Sequence, residues 1–219
     1  SHTEHRTLFH AVENMSLASG TPMPRVYVME SEQINAFASG RDPKNSVICV
    51  TTGALKKLNK QELEGVISHE MGHIANYDIR FMTLTAILVG LIAIIAQIFL
   101  RSLWFQSGRR DSRAGVIILF IAIIAAILAP LFAQLVSFAI SRKREFSADA
   151  TGVKFTRYSP GLRNALIKIK KEHVSEKDKR RYSKALAPLF ISDPYKKKIQ
   201  NLFSTHPPID LRIKILERM

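Results

Sequence analysis

Polar and apolar positions alternate along most of the chain and give way twice to stretches with almost no polar side chain. Residues 4–18 carry Leu8, Phe9, Val12, Met15 and Leu17 at mostly helical spacing, and Gly20-Thr21-Pro22 ends the pattern, which predicts an amphipathic helix. Val26 and Val28 alternate within residues 25–29, residues 34–38 form a short extended candidate, and residues 46–51 are rich in β-branched side chains. Turn signals at Gly40 and Pro43 separate these segments, and together they predict a small antiparallel sheet. After Gly53, residues 54–58 read as helical, and Asn59 caps a helix that runs through Gln61 and Glu62 to about Asn76. The end of the chain, residues 160–219, reads as short helices broken by Pro188, Pro194 and Pro207-Pro208.

The two apolar stretches change this picture. Residues 83–100 hold only Gln97 besides two threonines, and residues 114–140 hold no charge at all. Each is long enough to span a bilayer, and the polar loop 101–113 between them makes the pair a transmembrane hairpin. The competing reading, a buried core hairpin, would require a polar face that neither segment has. The loop carries four Lys/Arg, whereas Arg80, Arg142, Lys143, Arg144, Lys154 and Arg157 flank the other ends, which places both polar halves in the cytoplasm. Membrane-proximal helices are then expected to be continuous: the helix of residues 59–76 into the first span, the second span into residues beyond 140.

Charge supports a membrane partner. The net charge is +14, and residues 141–219 hold 20 Lys/Arg against 8 Asp/Glu. Arg142-Lys143-Arg144 directly follows an apolar span, as expected beside anionic lipid, and no basic motif interleaved with aromatic residues points to nucleic acid. Lys196-Lys197-Lys198 and residues 177–184 read as solvated helix faces. The single cysteine, Cys49, excludes an intramolecular disulfide, fits a reducing compartment and reads as a small core residue. The chain begins at Ser1 without an initiator methionine, so its natural start is expected upstream.

The candidate chemistry lies in His69-Glu70-Met71-Gly72-His73. Histidines at i and i+4 face the same way on a helix, so both imidazoles reach one tetrahedral zinc, with Glu70 turned toward the metal's water as general base. Such a site needs a third protein ligand and one open position. Past the hairpin, Glu145 and Asp149 share a helix face at i and i+4 in Arg144-Glu145-Phe146-Ser147-Ala148-Asp149-Ala150. Glu145 is the best third ligand, and Asp149 suits the second ring N–H of a ligand histidine; taken alone, the pair would be an ordinary surface feature. Zinc with a glutamate base performs peptide hydrolysis without a covalent enzyme intermediate. His206, held in Ser204-Thr205-His206-Pro207-Pro208, is either a stabiliser of the developing oxyanion or a structural turn histidine. Arg212 either neutralises Glu145 or Asp149 or lies on the surface. His2, His5, His10 and His173 receive no role.

The ordered set Asn35-Ala36-Phe37-Ala38, His69-Glu70-Met71-Gly72-His73, two spans, Glu145-Phe146-Ser147-Ala148-Asp149-Ala150 and Thr205-His206-Pro207-Pro208 closely resembles the HtpX-type heat-shock membrane metalloproteases, relatives of the type I CAAX prenyl proteases within the gluzincins. The resemblance implies an α+β, helix-rich zincin core with a small sheet and an inserted transmembrane helical hairpin. It implies two more spans upstream of Ser1, and cleavage of misfolded membrane proteins at the cytoplasmic side of the inner membrane, with self-cleavage. On the matching positions, His69, His73 and Glu145 are the ligands of one Zn2+ per chain, Glu70 is the base and Asp149 the acid behind the ligands. The segment Asn35 to Ala38 becomes the edge strand lining the substrate groove, where an extended peptide adds as a strand; a purely structural strand explains the same residues.

The chain divides on this reading into residues 1–82 with the metal-binding helix, the hairpin 83–141, and residues 142–219 with the third ligand. A prenyl-protein processing enzyme is the first alternative, with the same zinc chemistry but more spans around its site. A catalytically inert membrane scaffold is the second, and it has no need of this ordered polar set.

Overall fold

The computed structural model describes residues 5–105, 113–172 and 207–219. Helix α1 (Arg6–Ser19) buries Leu8, Ala11, Val12 and Met15 on one face, as its apolar spacing predicts. It ends at Gly20, whose φ of 67° is the left-handed conformation that lets its N–H and that of Thr21 return to the carbonyls of Leu17 and Ser16.

Three strands follow: β1 (Arg25–Met29), β2 (Ala36–Gly40) and β3 (Ser46–Thr51). The sheet is mixed, in order β1-β3-β2, with β1 parallel to β3 and β2 antiparallel to it. This corrects the expectation of an antiparallel sheet. A tight turn, here the 3-10 turn Pro43–Asn45, fixes direction only for the two strands it joins. β1 and β2 do not pair, so the chain passes across β3 between them. That crossing is held by buried polar contacts, Thr51 Oγ1 donating to the Gln33 carbonyl at 2.6 Å and Gly53 N–H to that of Ser31 at 2.7 Å.

A short helix, α2 (Thr52–Lys57), leads into α3 (Lys60–Ala75). Asn59 Oδ1 accepts the Glu62 N–H at 2.9 Å and Glu62 accepts the Asn59 N–H at 2.8 Å, a reciprocal cap that starts α3 where the sequence places it. α3 is central: it packs on α1 and β2, on α5 (Arg113–Thr156), and on α6 (Ser159–Lys171), which itself packs against α7 (Ile209–Leu216). Ile48, Val50, Val66, Ile67, Leu162, Leu166 and Leu216 form the core between these elements.

Helix α4 (Asp78–Phe105) is a separate helix. The expected continuity of α3 into the first span fails at Asn76, which caps α3, and at Tyr77, whose φ of 58° turns the chain out of the helical path. Continuity on the other side holds, since α5 runs unbroken for 44 residues past Pro130 and carries both Glu145 and Asp149. α4 also extends to Phe105, into the segment read as a polar loop. Both helices are long and apolar enough to cross a membrane, and their apolar windows are only 6% and 0% buried, unlike the core helices of a soluble protein. The prolines at 188 and 194 and the lysine runs after residue 172 lie outside the described residues.

Candidate metal centre

On α3, residues 69 and 73 are separated by about 40° around the helix axis, so both rings leave on one face. Their centroids are 4.7 Å apart, nearly perpendicular. α5 brings Glu145 opposite them: Oε2 is 3.6 Å from His69 Nε2 and Oε1 is 3.5 Å from His73 Nε2. One ligand atom from each residue lies within 4.8 Å of the others. The approach depends on small residues, since a Cβ at Gly72 would stand 2.9 Å from the Ala148 carbonyl oxygen and one at Gly152 3.0 Å from the His69 backbone nitrogen. Larger side chains there would hold Glu145 away from the histidines.

Each imidazole is held by an acid at its other nitrogen. His69 Nδ1 lies 2.9 Å from Asp149 Oδ1, and Asp149 is gripped by the Arg212 fork, Nε to Oδ2 at 2.8 Å and Nη2 to Oδ1 at 2.6 Å. Arg212 also reaches Glu145 Oε2 with Nη1 at 3.1 Å. Its Nη2 stands nearly equidistant from both ring nitrogens of His69, at 3.3 and 3.4 Å, which puts the guanidinium over the ring face rather than on a lone pair. His73 Nδ1 lies 2.8 Å from Asp78 Oδ2, and Asp78 pairs through Oδ1 with Arg144.

These groups are nearly sealed from solvent: His69, Glu70, Asp78, Glu145, Asp149 and Arg212 are all buried. Burial alone would disfavour charged His73, yet the hydrogen bonds with Asp78 and Glu145 outweigh it and push its pKa up to about 10. Burial likewise opposes charge on Arg212, but Asp149 and then Glu145 raise its pKa further above the ordinary arginine value. With the imidazoles neutral, the carboxylates of Glu70, Asp78, Glu145 and Asp149 exceed the guanidiniums of Arg144 and Arg212 by two charges. A divalent cation offsets that surplus. Two imidazole nitrogens and one carboxylate, each imidazole pinned from behind, are a donor set that could hold a metal ion through three protein ligands.

Of the residues singled out in the sequence, the structure brings together His69, Glu70, His73, Glu145, Asp149 and Arg212, the last in the interior rather than on the surface. His206 lies outside the described residues. Asn35 precedes β2, is buried, and accepts the Ala36 N–H on its side chain at 3.0 Å. Ala36, Phe37 and Ala38 are in β2, which has β3 on one side and no strand on the other among the described residues. Because the Thr51 N–H bonds to the Asn35 carbonyl at 3.0 Å, the register turns the backbone groups of Ala36 and Ala38 away from β3.

Sequence reasoning missed Asp78 and Arg144. Five residues of unbroken helix would set Asp78 about 140° from His73, so only the chain break at Tyr77 makes the pair. The available signals were an acid directly before an apolar span and an arginine next to Glu145.

The sequence model of peptidase family M48 matches residues 2–219. The chain is 48% identical over 217 residues to a protein named protease HtpX homolog from Caldanaerobacter subterraneus subsp. tengcongensis, covering 97% of this chain and 71% of that protein. It is 46% identical to the protein of that name from Dictyoglomus thermophilum (97% and 69% covered) and to the one from Streptococcus gordonii (100% and 75%). The fold is similar to the crystal structure of S. mikatae Ste24p, with a TM-score of 0.62 and 21% identity over 96% of this chain and 50% of that one.

Proposed function

The chain belongs to peptidase family M48 and is a membrane metalloprotease, and from that premise we propose that it is a zinc endopeptidase of the cytoplasmic membrane that cleaves misfolded or damaged membrane proteins. In this reading His69, His73 and Glu145 hold the zinc, and Glu70 is the general base. When bound, the ion supplies Lewis acidity toward a water and a peptide carbonyl. Glu70 takes the proton of the attacking water and hands it to the leaving amine. Asp149, backed by Arg212, keeps the His69 Nε2 lone pair aimed at the metal position by accepting the Nδ1 proton. Substrate backbone pairs with the outward carbonyl of Ala36 and the outward groups of Ala38, adding a strand to the edge that begins at Asn35, whose side chain takes the Ala36 N–H, and includes Phe37. His206 is the proposed oxyanion donor, on its place in the proline-limited turn.

The observation that carries this reading is the meeting of His69, His73 and Glu145 from two helices, with Glu70 buried beside them. Their place supports a membrane substrate. Glu145 stands five residues past the uncharged stretch that ends at Ile140, about 7.5 Å along the helix axis. A segment slipping from the bilayer, on the face flanked by Arg142, Lys143 and Arg144, would meet the site within two helical turns. The test is metal content and casein hydrolysis for the wild-type chain and Glu70→Gln in mild detergent. The expected result is about one zinc in both and hydrolysis only by the wild type. A wild-type chain that holds no zinc would overturn the reading, as would a Glu70→Gln chain that cleaves at the wild-type rate.

A further inference from the structure

We propose that Asp78 and Arg144 are positioning residues through which the first turn of the membrane hairpin holds the ligand His73, an inference that rests on the zinc-site reading above. For Nε2 of His73 to face the metal, the ring must carry its proton on Nδ1 and aim it at an acceptor. Asp78 Oδ2 is that acceptor, 2.8 Å away. Asp78 is only 3% exposed, and a carboxylate so buried needs a cation. Arg144 is the cation, and it is fixed on three sides: it pairs with Asp78, donates to the Asn76 carbonyl at 3.1 Å, and lies 4.4 Å over the Phe81 ring.

The backbone is bent to make this contact. Tyr77 sits in the left-handed region, which a side chain disfavours, and it is 52% exposed, so burial of its own ring does not account for the bend. What the bend does is return Asp78 under His73. Asn76, at the same joint, donates to Thr151 Oγ1 of α5 at 3.2 Å. The joint between α3 and α4 is thus tied twice to α5, by Arg144 and by Thr151. Arg144 also precedes the ligand Glu145, so one turn of α5 supplies a ligand and the anchor of the acid behind another ligand. The two histidines are held from different directions: His69 by Asp149 of α5, His73 by the first residue of α4. A shift of α4 against α5 therefore rotates His73 while leaving His69 in place.

The test uses the full chain in mild detergent with Asp78→Ala, Asp78→Asn, Arg144→Gln and the double variant Asp78→Ala/Arg144→Gln. Zinc affinity is read by chelator competition, kcat and KM on casein at saturating zinc, and folding by far-ultraviolet circular dichroism. Asp78→Ala is expected to weaken zinc binding about 10–100-fold and to lower kcat with KM unchanged. Asp78→Asn keeps an amide oxygen for the Nδ1 proton and should lose less. Arg144→Gln should weaken zinc binding in the wild-type background and add little to Asp78→Ala, because it acts through Asp78. A folded Asp78→Ala chain with wild-type zinc affinity and kcat would overturn the proposal; should that variant not fold, wild-type affinity and kcat in both Asp78→Asn and Arg144→Gln would do the same. These results leave the zinc-site reading standing, whereas a wild-type chain without zinc overturns both.

Discussion

The His73 imidazole holds a proton tightly because an acid faces each of its nitrogens. His73 stands between Asp78 and Glu145, and its pKa is about 10 in the folded, metal-free chain against 6.5 ordinarily. The folded state therefore holds more protons than the unfolded one between those values. The stabilisation is fully present below pH 6.5 and is lost as pH rises through about 10. Metal competes for the same nitrogen, so zinc affinity is expected to rise by up to about tenfold per pH unit through the lower part of this window. Chelator competition at several pH values from 6.5 to 8.5 checks it, and a flat profile would show that His73 binds metal without losing a proton. Arg212 presents a stability question. Arg212→Met leaves Asp149 and Glu145 buried without their shared cation, and an unmatched buried charge is expected to cost about 3–5 kcal/mol. Denaturant unfolding of the metal-free variant in detergent measures it; a loss under about 1 kcal/mol would mean that water reaches the acids.

At the level of elements, the centre is a contact between α3 and α5 made possible by small residues. Helix propensity favours Gly72→Ala by about 1 kcal/mol. Sterics oppose it, because the new Cβ meets the Ala148 carbonyl oxygen at 2.9 Å and backbone cannot swing aside as a side chain can. The steric effect should win: α5 moves outward, carrying Glu145 from the histidines. Lower zinc affinity together with a lower melting temperature is expected, and a variant that melts higher with zinc binding intact would show that the helices give freely at this point. The same contact explains why His69 and Glu145, 76 positions apart in sequence, form one site.

For the whole molecule, α5 is the connecting member. Its 44 residues extend about 66 Å, roughly twice the ~30 Å hydrocarbon thickness, so one helix both spans the bilayer and delivers Glu145 to α3. Membrane packing is thereby linked to the metal. Replacing residues 84–140 by a short Gly/Ser linker frees both Asp78 and Glu145 from rigid attachment, and zinc affinity is expected to fall. Equilibrium zinc binding by the shortened chain against the full one tests this. Equal affinity would mean that the packing of α3, α5 and α6 alone holds the ligands.

Features that depend on local pattern and on residue chemistry were legible along the chain. The apolar face of α1, the Asn59 cap, the paired histidines at helical spacing and two spans without a polar face are each written within about one element's length, where periodicity and capping act. The ordered motifs further gave the family. Three-dimensional packing decided the rest. The direction of β1 relative to β3 was open because no turn joins them. The chain break at Tyr77 has no strong breaker residue to announce it and arises where Asn76 and Asp78 find partners on α5. Arg144 looked like any other member of a basic chain, and the sequence left Arg212 open between a partner of Glu145 or Asp149 and a surface side chain. A guanidinium becomes part of a metal centre only when folding buries it against carboxylates that are distant in sequence, and no local pattern records that.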